Sequence, residues 1–378
     1  YVGYPAMLWL LGSLRERKTR RAPITPAASV IIAMHNEEAV IKHKLENTLS
    51  LDYPNEQLEI IVVSDGSTDG SDEIAARYAP ERVRLLRLAR CGKVRALESA
   101  AAQARGDILV FTDANTWIMP HALRALIAHL ADPNVGGVCG CKKVGLATAS
   151  ESMVPGEGFY WKYEQFLKKW ESRTGSTIAA DGALYAIRRE LFHRCVNPAL
   201  ADDFAISGYV PLQGKRLVLE PEAVVWEEPP ISADSEFRRK VRVANHVIRS
   251  VCELRPALNP LRTGFHSVKL WSHKPLRYLV PIPLTAAWIA SFFLAGGSVF
   301  YSLLLALQCG FYALALAGFV FRTHGLGCRP MLHTPFYFCM AHSAALMGAF
   351  SALRGKRIVS WTHQRSSSDL KPVRKYPG

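Results

Sequence analysis

The chain has no Cys-x-x-Cys pair; its eight cysteines are scattered without that spacing. This argues against a structural zinc site and fits a reduced, cytosolic catalytic domain. Charge is the second scarcity: from residue 276 to 321 the only charged side chain is Arg277. A soluble domain does not leave so long a stretch bare, so this part reads as membrane segments and the first half as the globular part. A third thing missing is a set of aromatics interleaved with the basic residues on one soluble face. Without it the formal charge of +14 does not argue for nucleic acid. The basic runs Arg15 to Arg21 and Arg354 to Arg357 flank apolar stretches, as cytoplasmic juxtamembrane charge and anionic lipid contacts require.

What is present divides as follows. Residues 1–21 read as the end of an N-terminal transmembrane segment with its basic flank, 22–254 as a cytosolic catalytic domain, and 255–275 as an interfacial linker. Residues 276–353 hold transmembrane or interfacial helices, with candidates at 276–296, 299–321 and, more weakly, 335–353; residues 354–378 form a basic cytosolic tail. Three spans would put that tail on the far side, against its lysines and arginines, so one of the three is expected to be interfacial or re-entrant.

Within 22–254, short β-branched runs at 29–34, 59–64, 83–88 and 107–112 alternate with helical spacing at 37–50, 71–78, 93–105 and 120–130, the last with Pro120 in its first turn. That alternation predicts an α/β domain with a mainly parallel sheet, whose ligands bind beyond the carboxyl ends of the strands. An aromatic and lysine-rich helix at 159–170 either lies on a membrane surface or packs on the sheet.

Two strand ends carry acids. Asp65 begins the run DGSTDG, which turn and cap chemistry alone also explains. Asp113, with Asn115 two residues on, can hold a divalent cation against a diphosphate. Asp202 and Asp203 lie side by side before a short apolar helix, where they can supply a general base or merely favour the helix dipole. Lys93 and Arg95 at a helix start, and the run Arg238, Arg239, Lys240 and Arg242, can neutralise phosphate.

Taken in order, the segments PAASVIIAMHNEE, SDGSTDG, CGKVRALESA, FTDANT, ADGALYAIRRE, ADD and FRRKVR resemble the membrane-attached family 2 glycosyltransferases of the GT-A, Rossmann-like fold. That branch includes synthases of cellulose, hyaluronan and poly-N-acetylglucosamine and enzymes that glycosylate lipids. The resemblance implies donor contacts from Glu37, Asp65, Lys93, Asp113 and Arg239, with Asp65 at the nucleoside and Lys93 at the diphosphate. It implies Mg²⁺ or Mn²⁺ at Asp113 and Asn115, and catalysis by Asp203 as base with Asp202 and Arg242. Asp181 and Gly182 would line the acceptor path, and Trp361 would stand where polymer synthases have a gating tryptophan. The implied reaction is inverting transfer of a sugar from a nucleotide sugar, UDP-linked in most relatives, to a growing polysaccharide at the inner membrane, with a partner subunit possible. Two departures weigh on this: Asn115 replaces a second Asp, and the family's Gln-x-x-Arg-Trp motif keeps only Arg242. A lipid acceptor is the alternative within the class. Outside the class, the alternative is a non-catalytic nucleotide-sugar-binding membrane regulator.

Overall fold

The computed structural model describes residues 2–144, 157–195, 199–227, 233–322 and 329–356. Trp361 and most of the basic tail lie outside the described residues.

The first strands are apolar throughout because both their faces are covered. In β1 (Ala28–Met34) all seven residues are buried, and β2 (Leu58–Asp65) and β4 (Ile108–Asp113) are nearly so. Alternate side chains part to opposite faces, as the two-residue period of a strand demands. Val30, Ile32, Ile60, Val62 and Val110 meet α2 (Glu38–Leu49), α3 (Ser71–Ala76) and α5 (Ala122–Ala128) on one face. Ile31, Ala33, Ile61, Leu109 and Phe111 meet α4 (Lys93–Gln103) and α7 (Asp202–Leu212) on the other.

With β3 (Val83–Leu88), β5 (Thr116–Ile118), β6 (Val135–Val144), β7 (Tyr185–Arg188) and β8 (Arg216–Glu227), the eight-stranded sheet has the order β3-β2-β1-β4-β7-β6-β8-β5. The first four strands are parallel, as the alternation predicts. The second half is mixed: β7 is antiparallel to β4 and β6, β8 is parallel to β6, and β5 is antiparallel to β8. Only Ala114 and Asn115 separate β4, mid-sheet, from β5 at the far edge. So short a connection obliges the sheet to curl back on itself, and Asp113, at the end of β4, lies at that turn. Pro120 lies ahead of α5 and not in its first turn; its carbonyl accepts the N–H of Asp52 at 2.9 Å, which fixes it in the preceding turn.

α6 (Glu157–Arg173) packs its second half inward: Leu167 and Trp170 are buried with Leu8 of α1 (Gly3–Leu14). Residues 255–275, the stretch read as an interfacial linker, are largely helical. They contain α9 (Pro260–Thr263) and α10 (Phe265–His273), and Leu270 sits in a core cluster with Phe204 of α7 and Val247 of α8 (Ala233–Glu253). The anchor is ionic. His273, 1% exposed, places Nδ1 2.6 Å from Glu171 Oε1 and Nε2 2.9 Å from Glu164 Oε1, while Tyr4 donates to Glu171 and Arg277 to Glu164.

The expected membrane segment 276–296 is not one straight helix. It divides into α11 (Pro275–Leu279) and α12 (Pro281–Leu294), and the pair Phe265–Leu279 and Pro281–Gly297 bends by 54°. Pro281 supplies the cause, since it has no N–H and its ring crowds the preceding turn. α13 (Val299–Val320), with mean hydropathy 2.0, and α14 (Pro330–Leu353), at 1.4, are each long and apolar enough to cross a membrane; α14 starts five residues before the expected Pro335. The two helices become three spans if the bent pair counts as one.

Candidate active site

The site is built at the carboxyl ends of β1, β2 and β4. Beyond β1 and β2 the loops lock together: Thr68 donates its N–H to Asn36 Oδ1 at 2.8 Å, and Glu37 donates its backbone N–H to Ser71 Oγ at 2.8 Å. Asn36 holds a left-handed φ of 54°, which an asparagine tolerates better than most residues. Glu37 is buried at the start of α2.

Asp65 ends β2 as predicted, but its carboxylate is fully buried and does not open into the cleft. Oδ1 accepts the N–H groups of Cys91 at 2.6 Å and Gly92 at 3.0 Å, and Oδ2 lies 3.0 Å from Arg90 Nη1. It therefore holds the 90–92 loop. Gly92, with φ of 91°, takes a conformation that side chains avoid and launches α4 with Lys93 as its first residue. Arg90 was not legible from sequence, because the contact joins segments 25 residues apart.

Lys93 bridges two of the expected acids. Its Nζ lies 2.7 Å from Asp113 Oδ1 and 2.9 Å from Asp202 Oδ2. Burial alone would lower this ammonium, but Asp113 and Asp202 outweigh it and raise it above the usual lysine range. Burial raises the Asp113 carboxyl, against the pull of Lys93.

Asp203, the second residue of α7, faces the hollow around Gly182. Gly182 donates its N–H to Oδ2 at 3.0 Å and Phe204 to Oδ1 at 2.7 Å. Burial, then the charges of Asp202 and Asp181, push its carboxyl up to about 6. That leaves it ionised at pH 7 yet a better proton acceptor than an ordinary aspartate. Gly182 lies between the acids: a Cβ there would stand 3.3 Å from Asp113 Oδ2 and 3.7 Å from Asp203 Oδ2.

Asp181 turns to another set. Lys142 Nζ lies 3.4 Å and Lys168 Nζ 3.7 Å from its carboxylate, and Lys142 also reaches Glu227 at 2.8 Å. Burial would raise the Asp181 carboxyl, but the two lysines bring it down to about 2. Arg239 on α8 borders this corner, since its charge acts on both Lys142 and Glu227. Arg242, one turn on, is half-buried, and burial and Arg239 lower its guanidinium. Lys142 and Lys168 were not expected from sequence, where each is one lysine among many.

Asp113 and half-buried Asn115 offer oxygen donors, the type that Mg²⁺ and Mn²⁺ take. Among the described residues no three His, Cys, Asp or Glu side chains come together to hold an ion. The donor set thus fits a cation whose remaining ligands come from a diphosphate, and not one caged by protein alone.

Residues 29–195 match the sequence profile described as Glycosyl transferase family 2. The chain carries a family 2 glycosyl transferase domain. This domain is similar to a probable glycosyltransferase of Bacillus subtilis, at 28% identity over 58% of this chain and 54% of the relative. It is also similar to the poly-β-1,6-N-acetyl-D-glucosamine synthase of Staphylococcus aureus, at 24% identity over 65% and 63%. The chain therefore spans just over half to just under two thirds of these relatives' lengths. Among solved structures, the mannosyltransferase of Pyrobaculum calidifontis in complex with GDP-Man and Mn²⁺ matches with a TM-score of 0.69 at 26% identity, over 94% of this chain and 96% of that one. The glycosyl transferase domain has the GT-A fold, and its strand-end acids lie within the residues matched to the family.

Proposed function

We propose that this protein is a membrane-bound, inverting glycosyltransferase that moves a sugar from a nucleotide sugar, UDP-linked in the first instance, to a growing polysaccharide. The observation that carries the reading is the hollow around Gly182. It sets a proton-accepting carboxylate, Asp203, opposite a carboxylate, Asp113, already bridged to a lysine.

In this reading Asp203 takes the proton of the acceptor hydroxyl, which attacks the anomeric carbon from the face opposite the departing diphosphate, inverting that centre. Lys93 turns from Asp113 and Asp202 to the diphosphate oxygens, and Arg242 adds a second cation. Asp113 and Asn115 would hold Mg²⁺ or Mn²⁺, which when bound neutralises charge on the leaving group. Arg90 and Asp65 border the nucleoside end, Arg239 is a further donor contact, and Asp181 and Gly182 line the acceptor side. The similarity to a poly-N-acetylglucosamine synthase and the apolar helices α13 and α14 support a polymer acceptor at a membrane, and the basic runs beside the apolar stretches favour a cytosolic catalytic domain. A lipid acceptor is the second reading. It is favoured by the contact of Lys240 Nζ with the Tyr337 ring, 5.0 Å from its centroid, which sets the basic helix α8 against the apolar helix α14.

The test supplies membranes containing the protein with radiolabelled UDP-sugars and GDP-mannose, with Mn²⁺ or Mg²⁺, and uses Asp203→Asn as control. Label in a glycanase-digestible polymer supports the first reading, and label in solvent-extractable lipid the second. Equal incorporation by Asp203→Asn would sink the assignment of the base.

A further inference from the structure

Lys44 stands where the helical pattern calls for an apolar residue. It lies on the buried stripe of α2 with Ile41, Leu45 and Thr48, and is 2% exposed. Its ammonium meets three oxygens behind the β4–β5 turn: Thr112 Oγ1 at 2.8 Å, the Thr116 carbonyl at 2.9 Å and Thr116 Oγ1 at 3.0 Å.

These threonines bracket Asp113, Ala114 and Asn115. Thr116 Oγ1 donates to the Asp113 carbonyl at 2.8 Å, and Thr112 Oγ1 donates to the Ala183 carbonyl at 2.8 Å. Ala183 follows Gly182, whose N–H holds Asp203. One buried cation is thus the hub of a polar network that ties the diphosphate turn to the loop steadying the base. Ionic groups are costly in such a place: burial pulls this ammonium down to about 7, opposed only in part by the charge of Asp113.

We propose that Lys44 is a positioning residue, which sets from behind the spacing of the Asp113 turn and the Gly182–Ala183 loop across the reaction hollow. It rests on the reading of that hollow as the transfer site. Without it each threonine hydroxyl keeps the carbonyl it donates to, and a methionine of similar length fills its volume without a buried charge. A residue kept for packing alone would gain from that exchange. A positioning residue gains stability and loses turnover.

The experiment compares Lys44→Met with the unaltered chain in detergent, measuring thermal midpoint, donor kinetics, and UDP affinity with and without Mn²⁺. We expect a midpoint equal or higher and unchanged UDP affinity without metal, because the Asp65–Arg90 corner is untouched. Turnover should fall about 100-fold, the loss a displacement of about 1 Å produces, and the gain in UDP affinity brought by Mn²⁺ should shrink. Unaltered turnover overturns the proposal. So does a lowered midpoint with equal loss of UDP binding in both conditions, which marks Lys44 as structural. If Mn²⁺ fails to strengthen UDP binding to the unaltered chain, the metal assignment at Asp113 falls, while the turnover of Lys44→Met still decides the role of Lys44.

Discussion

Gly182 donates its backbone N–H to the Asp203 carboxylate at 3.0 Å, and by lacking a side chain it leaves open the space between that carboxylate and Asp113. Its backbone is not in the left-handed region, so φ allows alanine, but the added Cβ, 3.3 Å from Asp113 Oδ2, displaces that carboxylate slightly and narrows the space between the two acids. Gly182→Ala should keep its thermal midpoint and lose turnover about 100-fold, as small misplacements do. Steady-state kinetics beside a melting curve check it; near-normal turnover would show that nothing passes between the two acids.

Asp203 couples activity and stability with opposite signs. Its carboxyl is raised to about 6 in the folded protein against about 3.9 in an unfolded chain. The folded state therefore binds this proton more tightly. The stability it contributes is fully present below about pH 3.9 and is lost as pH rises through about 6. Asp203→Asn should melt higher than the unaltered chain at pH 7, with the difference vanishing near pH 4, and turnover should fall by roughly 10²- to 10⁴-fold. In the unaltered chain kcat/KM should decline as pH falls through about 6. A flat profile down to pH 5 would remove Asp203 from the role.

Lys93 closes Asp113 and Asp202 with one ammonium. Lys93→Met should cost about 3 kcal/mol, the lower end for breaking a buried pair, because the Asp113 side chain keeps 28% of its surface exposed. Since Asp113 is already paired, Mn²⁺ alone should give little heat in calorimetry, and Mn²⁺ with UDP a clear signal. Tight binding of Mn²⁺ without nucleotide would contradict the oxygen set described.

His273 joins the bent helix pair to the catalytic domain through Glu164 and Glu171. His273→Ala leaves Glu171, fully buried, with only Tyr4 against its side-chain oxygen Oε1, and should destabilise the protein by about 3 kcal/mol. A loss under about 1 kcal/mol by denaturant titration would show that apolar packing alone holds the helices.

Much of this was legible in the chain. The apolar runs before Asp65 and Asp113 forecast strands that end in acids, and the four parallel strands follow from their alternation with helices. Asp202 and Asp203 were visible as an acidic helix start able to supply a base; which of them takes Lys93 and which takes Gly182 depends on a loop 21 residues away. The break at Val280 was signalled by Pro281, although the apolar composition concealed it. Lys44 had one local sign, a lysine on an apolar stripe, which a solvated side chain would also produce.

The sequence by itself determined the four parallel strands and the helices between them, since β-branched runs, helical spacing and prolines act through nearest neighbours, and it determined which acids stand at strand ends. Only the tertiary structure decided that Lys93, Asp113, Asp202, Gly182 and Asp203 share one hollow and that Asp65 is sealed beneath Arg90. Those meetings depend on the curl of a sheet whose β5 pairs with β8, more than 100 residues away. Pairing at that distance is set by burial of the whole domain and not by any local preference.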